Sequence, residues 1–104
     1  MAVTEITPAQ FAKLTTRGNH TLLVKFYADW CGPCRQFAPI LTEFAAAHPE
    51  ITVAAMNIET PGNVPLVAEL NIGTIPTVML FRDGRPVKRI SGFLSRKDLD
   101  GLGL

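Results

Sequence analysis

Leu22-Leu23-Val24-Lys25-Phe26-Tyr27, continuing through Ala28-Asp29 into Trp30-Cys31-Gly32-Pro33-Cys34, is the stretch on which the reading of this chain turns. Its first part is a near-continuous apolar run of strand length, as a strand covered on both faces requires; only Lys25 interrupts it. Beyond Cys34, the residues Phe37, Ile40, Leu41, Phe44 and Ala45 recur at helical spacing. The two cysteines therefore stand where a buried strand hands over to a helix. On a helix, side chains at this spacing share a face, and a disulfide needs β-carbons about 3.8 Å apart, so little movement separates dithiol from disulfide. A sulfur in the first turn also meets unpaired N–H groups and the positive end of the helix dipole. That favours the thiolate by about 0.3–2 kcal/mol. Because the thiolate is the nucleophile, Cys31 is expected to react near neutral pH. Gly32 and Pro33 suit a turn that stays tight and rigid.

Outward from this junction the apolar period changes several times, the mark of mixed helix and strand. Thr7-Pro8-Ala9-Gln10 opens a helix: Thr7 caps, Pro8 suits the first helical position, and Gln10 can reach back in a capping box. Phe11 and Leu14 give it an apolar side, and Gly18-Asn19 is expected to end it. Ile51 to Ile58 alternates as a strand does. Pro61 to Leu70 is another helical segment, with Pro65 in its first turn and Val67 and Leu70 on one side. Val78-Met79-Leu80-Phe81 and Val87-Lys88-Arg89-Ile90 flank Asp83-Gly84, a hairpin signal, and Pro86 marks the last strand as an edge. Ser95-Arg96-Lys97-Asp98 begins a final short helix. The order is helix, strand, helix, strand, helix, strand, strand, helix. A right-handed βαβ unit followed by a hairpin gives an α/β fold, a mixed central sheet of four to five strands with helices on both faces.

The chain has 104 residues, 47% hydrophobic and 18% charged, which suits one domain with a real core. A net charge of +1 with scattered Lys and Arg offers nothing to a nucleic acid or a membrane surface. The N-terminus lacks the basic head and apolar run of a signal peptide, and no segment reaches the length of a membrane span. A cytoplasmic monomer is expected. In that compartment two lone cysteines make a poor structural staple.

Other uses of the pair fit less well. Zinc needs about four ligands, and His20 and His48, read as surface residues, flank the cysteines far from any finger spacing. A c-type haem site needs histidine where Arg35 stands, and an iron–sulfur cluster needs ligands from a second chain. A purely structural bridge across so short a loop constrains the unfolded chain little. Reversible redox use is the reading that remains, with no metal and no cofactor.

Trp30-Cys31-Gly32-Pro33-Cys34 after the Val24–Tyr27 run, then Pro39, then Thr74-Ile75-Pro76-Thr77, then Gly84 and Gly92, resembles the thioredoxin family in order and across about the whole chain. The resemblance implies a single thioredoxin-like domain over residues 1–104 that reduces protein disulfides. Cys31 would be the exposed attacking cysteine and Cys34 the buried resolving one, the two forming a redox-active disulfide. Ile75-Pro76 would be a cis peptide facing them, holding the backbone of Thr74 and Ile75 open to an extended substrate segment. Trp30, Gly32, Pro33, Ile75, Gly92 and Phe93 would form the apolar patch that receives substrate, although Trp30 could also be plain core packing. Pro39 would kink the long helix. The partners implied are disulfide-containing proteins and a separate thioredoxin reductase, since the chain has no room for a nicotinamide or flavin domain.

The sequence departs from that family inside the first long strand. The family usually carries a buried aspartate where Lys25 stands, and a lysine on the neighbouring strand where Ala55 stands. Two readings of Lys25 follow. It threads its stem along apolar neighbours and puts its ammonium in water, or it sits partly desolvated behind Cys34 and tunes it. An ammonium about 6 Å from a thiolate at an effective dielectric near 20 contributes roughly 2–3 kcal/mol, at most some 40–60 mV towards a more oxidising couple. Tyr27 stands where the family often has a second tryptophan. Asp98 to Leu104 contains two glycines, each costing about 1 kcal/mol inside a helix, so the last helix is expected to fray. Two rival functions remain open: a thioredoxin-like binding or scaffold module, and a more oxidising variant shifted towards oxidase or isomerase use.

Overall fold

Burial decides where each strand lies in this fold. The computed structural model describes residues 3–18 and 20–104. In chain order the elements are β1 (Thr4–Glu5), α1 (Pro8–Leu14), β2 (Thr21–Tyr27), α2 (Gly32–Ala47), β3 (Thr52–Asn57), a 3-10 turn (Pro61–Asn63) running into α3 (Val64–Glu69), β4 (Thr77–Arg82), β5 (Arg85–Ser91) and α4 (Arg96–Asp100). The five strands lie in the order β1-β3-β2-β4-β5. β2, the most continuously apolar of them, takes the centre, parallel to β3 and antiparallel to β4. β1 is an addition to the expected order, because two exposed residues carry no periodic signal.

Side chains alternate across the sheet and divide the core in two. Leu23, Val53, Val78 and Leu80 pack against Phe37, Leu41 and Phe44 of α2 and Leu99 of α4. On the other face Leu22, Val24, Phe26, Ala54 and Met56 meet Phe11 of α1 and Leu66, Val67 and Leu70 of the α3 region. Helices cover both faces, as expected. The same alternation turns Lys25 and Tyr27 to the α2 side with Leu23.

The helix ends follow local chemistry. At α1 the Gln10 N–H donates to Thr7 Oγ1 at 3.1 Å and the Thr7 N–H to Gln10 Oε1 at 2.8 Å, a complete capping box. The helix stops at Leu14, ahead of the expected Gly18-Asn19 signal, of which Asn19 lies outside the described residues. Thr15 and Thr16 turn their hydroxyls back onto the carbonyls of Phe11 and Lys13 and draw the chain out of the helix. α4 ends at Asp100, so neither glycine of the tail weakens its interior: Gly101 is the cap and Gly103 has φ 76°. Leu102 and Leu104 pack back onto the α2-side core, which replaces the fraying expected there.

The hairpin takes its turn at Asp83 (φ 53°) and Gly84 (φ 81°), with Pro86 on the edge strand β5 as its missing N–H requires. Among the described residues no helix is long and apolar enough to cross a membrane. A β-carbon at Gly84 would collide with the Thr15 carbonyl oxygen as well as meeting an unfavourable φ. Gly84→Ala is therefore expected to lose about 1–3 kcal/mol in urea unfolding, with thiol reactivity unchanged.

Candidate active site at the tip of the second helix

Cys31 is the N-cap of α2, and its sulfur takes the place of a capping oxygen: the Cys34 N–H donates to Cys31 Sγ at 3.3 Å. One of the donors that every helix start leaves over is thus satisfied by the sulfur itself. Gly32 and Pro33 form the first helical positions between the two cysteines. Both thiols are free, and both are buried, Cys31 with 5% of its surface exposed and Cys34 with 2%. The expectation of an exposed Cys31 is corrected: Ala28, Tyr27, Ile58 and Ile75 pack around the pair.

Ile75-Pro76 is cis, and the Cys31 thiol points at the Ile75 carbonyl oxygen, Sγ to O 3.8 Å. Thr77 Oγ1 donates to the Thr74 carbonyl, and the Gly92 N–H donates to the Pro76 carbonyl at 2.8 Å, so the loop before β4 is tied to the end of β5. Around the sulfurs lie Trp30, 63% exposed, and Phe93, 47% exposed, with Pro33 and Thr74 also exposed and Gly32, Ile75 and Gly92 half-buried. Trp30 is therefore not a core residue. Its indole Nε1 donates to Glu59 Oε2 at 2.7 Å, which holds the ring at the surface. Glu59 had no sequence signal, since the contact joins the ends of two different strands. Phe93 leans edge-on against Phe37, centroids 6.3 Å apart. Pro39 lies inside α2, which runs through it without a break.

The histidines are remote from the pair and less exposed than expected. His20 precedes β2 at the end away from the cysteines, joined to Asp83 through backbone contacts, and His48 caps the far end of α2 against the Phe44 ring. Both are half-buried. Among the described residues no three His, Cys, Asp or Glu side chains converge to hold a metal ion.

Behind Cys34 a cavity of about 180 Å³ is lined by Lys25, Tyr27, Ala28, Asp29, Cys34, Arg35 and Ala38. Lys25 is 7% exposed and pairs in register with Ala55 on β3 and Val78 on β4, so neither neighbouring strand supplies it an acid. Its Nζ lies 4.7 Å from the centre of the Tyr27 ring, a cation–π contact. Tyr27 Oη donates to Glu5 Oε1 at 2.7 Å. Burial pushes the Cys34 thiol up to about 11, aided by its bond with Cys31, while a backbone group of Ala28 and the Lys25 charge pull the other way. Burial lowers the Lys25 ammonium below its ordinary value, with Cys34 and Glu5 opposing. Burial, then Glu5, raises the Tyr27 hydroxyl and keeps it protonated.

The Lys25 shift has a stability consequence of definite sign. Between its lowered folded value and 10.5 the unfolded chain holds more protons at this site than the folded chain. Folded stability therefore rises with pH through that window, and the cost of the buried cation is fully present below it. Urea unfolding of the disulfide form should show wild type gaining on Lys25→Met between pH 7 and pH 10.

The thioredoxin family model matches residues 2–102. The thioredoxin of Alicyclobacillus acidocaldarius is 41% identical over 100 residues, covering 95% of this chain and 92% of that one. A bifunctional thioredoxin reductase/thioredoxin of Mycobacterium leprae is 42% identical over 89 residues, 85% of this chain and 19% of the longer protein. The crystal structure of Chlamydomonas reinhardtii thioredoxin f2 superposes with a TM-score of 0.86 at 26% identity, covering 96% of this chain and 92% of that one. With two free cysteines at the start of one helix beside a cis-proline loop, the chain belongs to the thioredoxin family and is a thiol–disulfide oxidoreductase of the protein-disulfide reductase type.

Proposed function

We propose that Cys31 attacks a substrate disulfide and Cys34 resolves the resulting mixed disulfide. The observation that carries this reading is the cap itself. The Cys31 sulfur accepts the Cys34 N–H and points at the Ile75 carbonyl in the cis-proline loop, whereas Cys34 lines the cavity behind. The Cys31 thiolate breaks the substrate S–S bond and forms a bond to one substrate sulfur, the other leaving as a thiolate. Cys34 then attacks Cys31 Sγ. The Cys31–Cys34 bond forms, the second substrate sulfur leaves with the electron pair, and the substrate has gained the two electrons the dithiol lost.

Substrate docks across Trp30, Gly32, Pro33, Thr74, Ile75, Pro76, Gly92 and Phe93. Support comes from two large apolar side chains held exposed beside the sulfurs, and from the Thr74 and Ile75 backbone lying outside the sheet ladder. An extended segment can pair with such a backbone while its side chains meet the apolar patch. The dithiol is restored by a thioredoxin reductase on a separate chain, a pairing supported by the Mycobacterium leprae relative, whose name joins both activities. The cytoplasm as the working compartment and a monomer as the working form, acting as one domain, belong to the same reading; a pair that must cycle through the dithiol needs a reducing surrounding. A scaffold role is not favoured, because a binding surface alone gives no reason to place two free thiols at one helix start.

Insulin reduction with dithiothreitol tests the reading. Wild type should catalyse it, Cys31→Ser should lose at least a hundredfold, and Cys34→Ser should trap a mixed disulfide on Cys31 that gel electrophoresis without reductant detects. Labelling of Cys34 in place of Cys31 would reverse the two roles. Trp30→Ala should raise KM for a protein disulfide severalfold while its rate with a small disulfide changes little.

A further inference from the structure

Lys25 is a cation on the central strand with no acid opposite it, and among the described residues its ammonium makes one polar contact, the Tyr27 ring face. Burying a long charged side chain is costly unless it is paired or can lose its charge. The cavity it opens into is shared with the thiol that has to lose a proton during resolution, and 180 Å³ is room for bridging water. Resting on the resolving role of Cys34 argued above, we propose that Lys25 is the proton acceptor for Cys34, acting through the cavity their side chains share.

The other groups facing this space fit that task less well. Arg35 presents only hydrogen-bond donors, and its Nη1 donates to the Asp29 carbonyl oxygen at 2.8 Å. Tyr27 keeps its proton and donates it to Glu5. Glu5 is exposed on β1, its oxygens taken by Tyr27 and the Asn57 N–H. Asp29 is exposed at the rim. Cys31 is not among the residues lining the cavity, and its thiol points at the Ile75 carbonyl oxygen. Val78 and Ala55 close the flanks without a titratable atom.

The step balances. The Cys34 thiol gives its proton to the neutral Lys25 amine, leaving a thiolate beside an ammonium. The thiolate attacks Cys31 Sγ, the bond from Cys31 to the substrate sulfur breaks, and the departing substrate thiolate takes a proton from water. No thiolate then faces Lys25, and the ammonium returns its proton to solvent through the cavity mouth. Burial lowers the amine, which makes its neutral, accepting form easier to reach, and raises the thiol, which opposes the transfer. The attraction between the thiolate and ammonium so formed, each drawing the other back towards its charged form, works in favour of it.

The test separates the two chemical steps. Cys31 is loaded with thionitrobenzoate, and release of the second thionitrobenzoate by Cys34 is followed by stopped-flow absorbance from pH 6 to 10. Loading of Cys31 should proceed at the wild-type rate in Lys25→Met, which also reports an intact fold, while release at pH 7 falls at least tenfold and loses an inflection present in wild type. Lys25→Asp should recover most of the release rate, and Asp29→Asn should leave it unchanged. Release at the wild-type rate in Lys25→Met, or a loss found in Asp29→Asn instead, overturns the role of Lys25 and leaves the exchange mechanism standing. A Cys31 that fails to load overturns both. As a check on the unmutated protein, the Lys25 ε-carbon should titrate at higher pH in the reduced form than in the disulfide form; one titration in both would likewise overturn the proposal.

Discussion

A sulfur acting as a helix cap is the interaction on which the site rests. An N-cap oxygen normally closes off a spare N–H at a helix start; here Cys31 Sγ does so, accepting from Cys34 itself. The bond joins the two redox partners in the dithiol and holds the nucleophile at the positive end of a sixteen-residue helix. The cap can keep that orientation only if the helix start cannot move, and β2 ensures this. Its residues Leu22 to Phe26 are buried at the centre of the sheet, between β3 and β4, so the strand delivers the chain to Cys31 at a fixed point.

The second half of the molecule supplies the other wall. β4 and β5 carry the cis Ile75-Pro76 bond and Gly92 to the same end of the sheet, and the Gly92 N–H to Pro76 carbonyl bond ties them together. Front and back of the sulfurs then differ sharply. The front offers Trp30 and Phe93 to a partner, with Glu59 holding the indole. The back is a small open-mouthed cavity lined by the one buried lysine of the chain's central strand. Attack and resolution thus face different surroundings although the cysteines are neighbours in sequence.

Much of this was legible in residue order. The apolar run, the cysteine pair at the strand–helix junction, the capping box at Thr7, the Asp83-Gly84 turn and Pro86 at an edge are all local, and each follows from backbone sterics or donor counting. The features that local order does not carry are of other kinds. β1 is too short to show a period. The end of α1 is set by two threonine hydroxyls, a weaker sequence signal than the Gly18-Asn19 pair. Cys31 is buried where exposure is expected, because Ile75, which covers it, lies in a loop distant in sequence.

The sequence by itself determined the α/β class and the exchangeable pair of sulfurs, because strand burial, helix capping and a short cysteine spacing act within a few bonds of one another. Tertiary structure alone decided the partners of Lys25. An ammonium on a long stem can reach water or stay inside, and the choice depends on Ala55 and Val78 beside it, on Tyr27 beneath it and on the space α2 leaves behind Cys34. Those groups come from four elements, and no local pattern records how they meet.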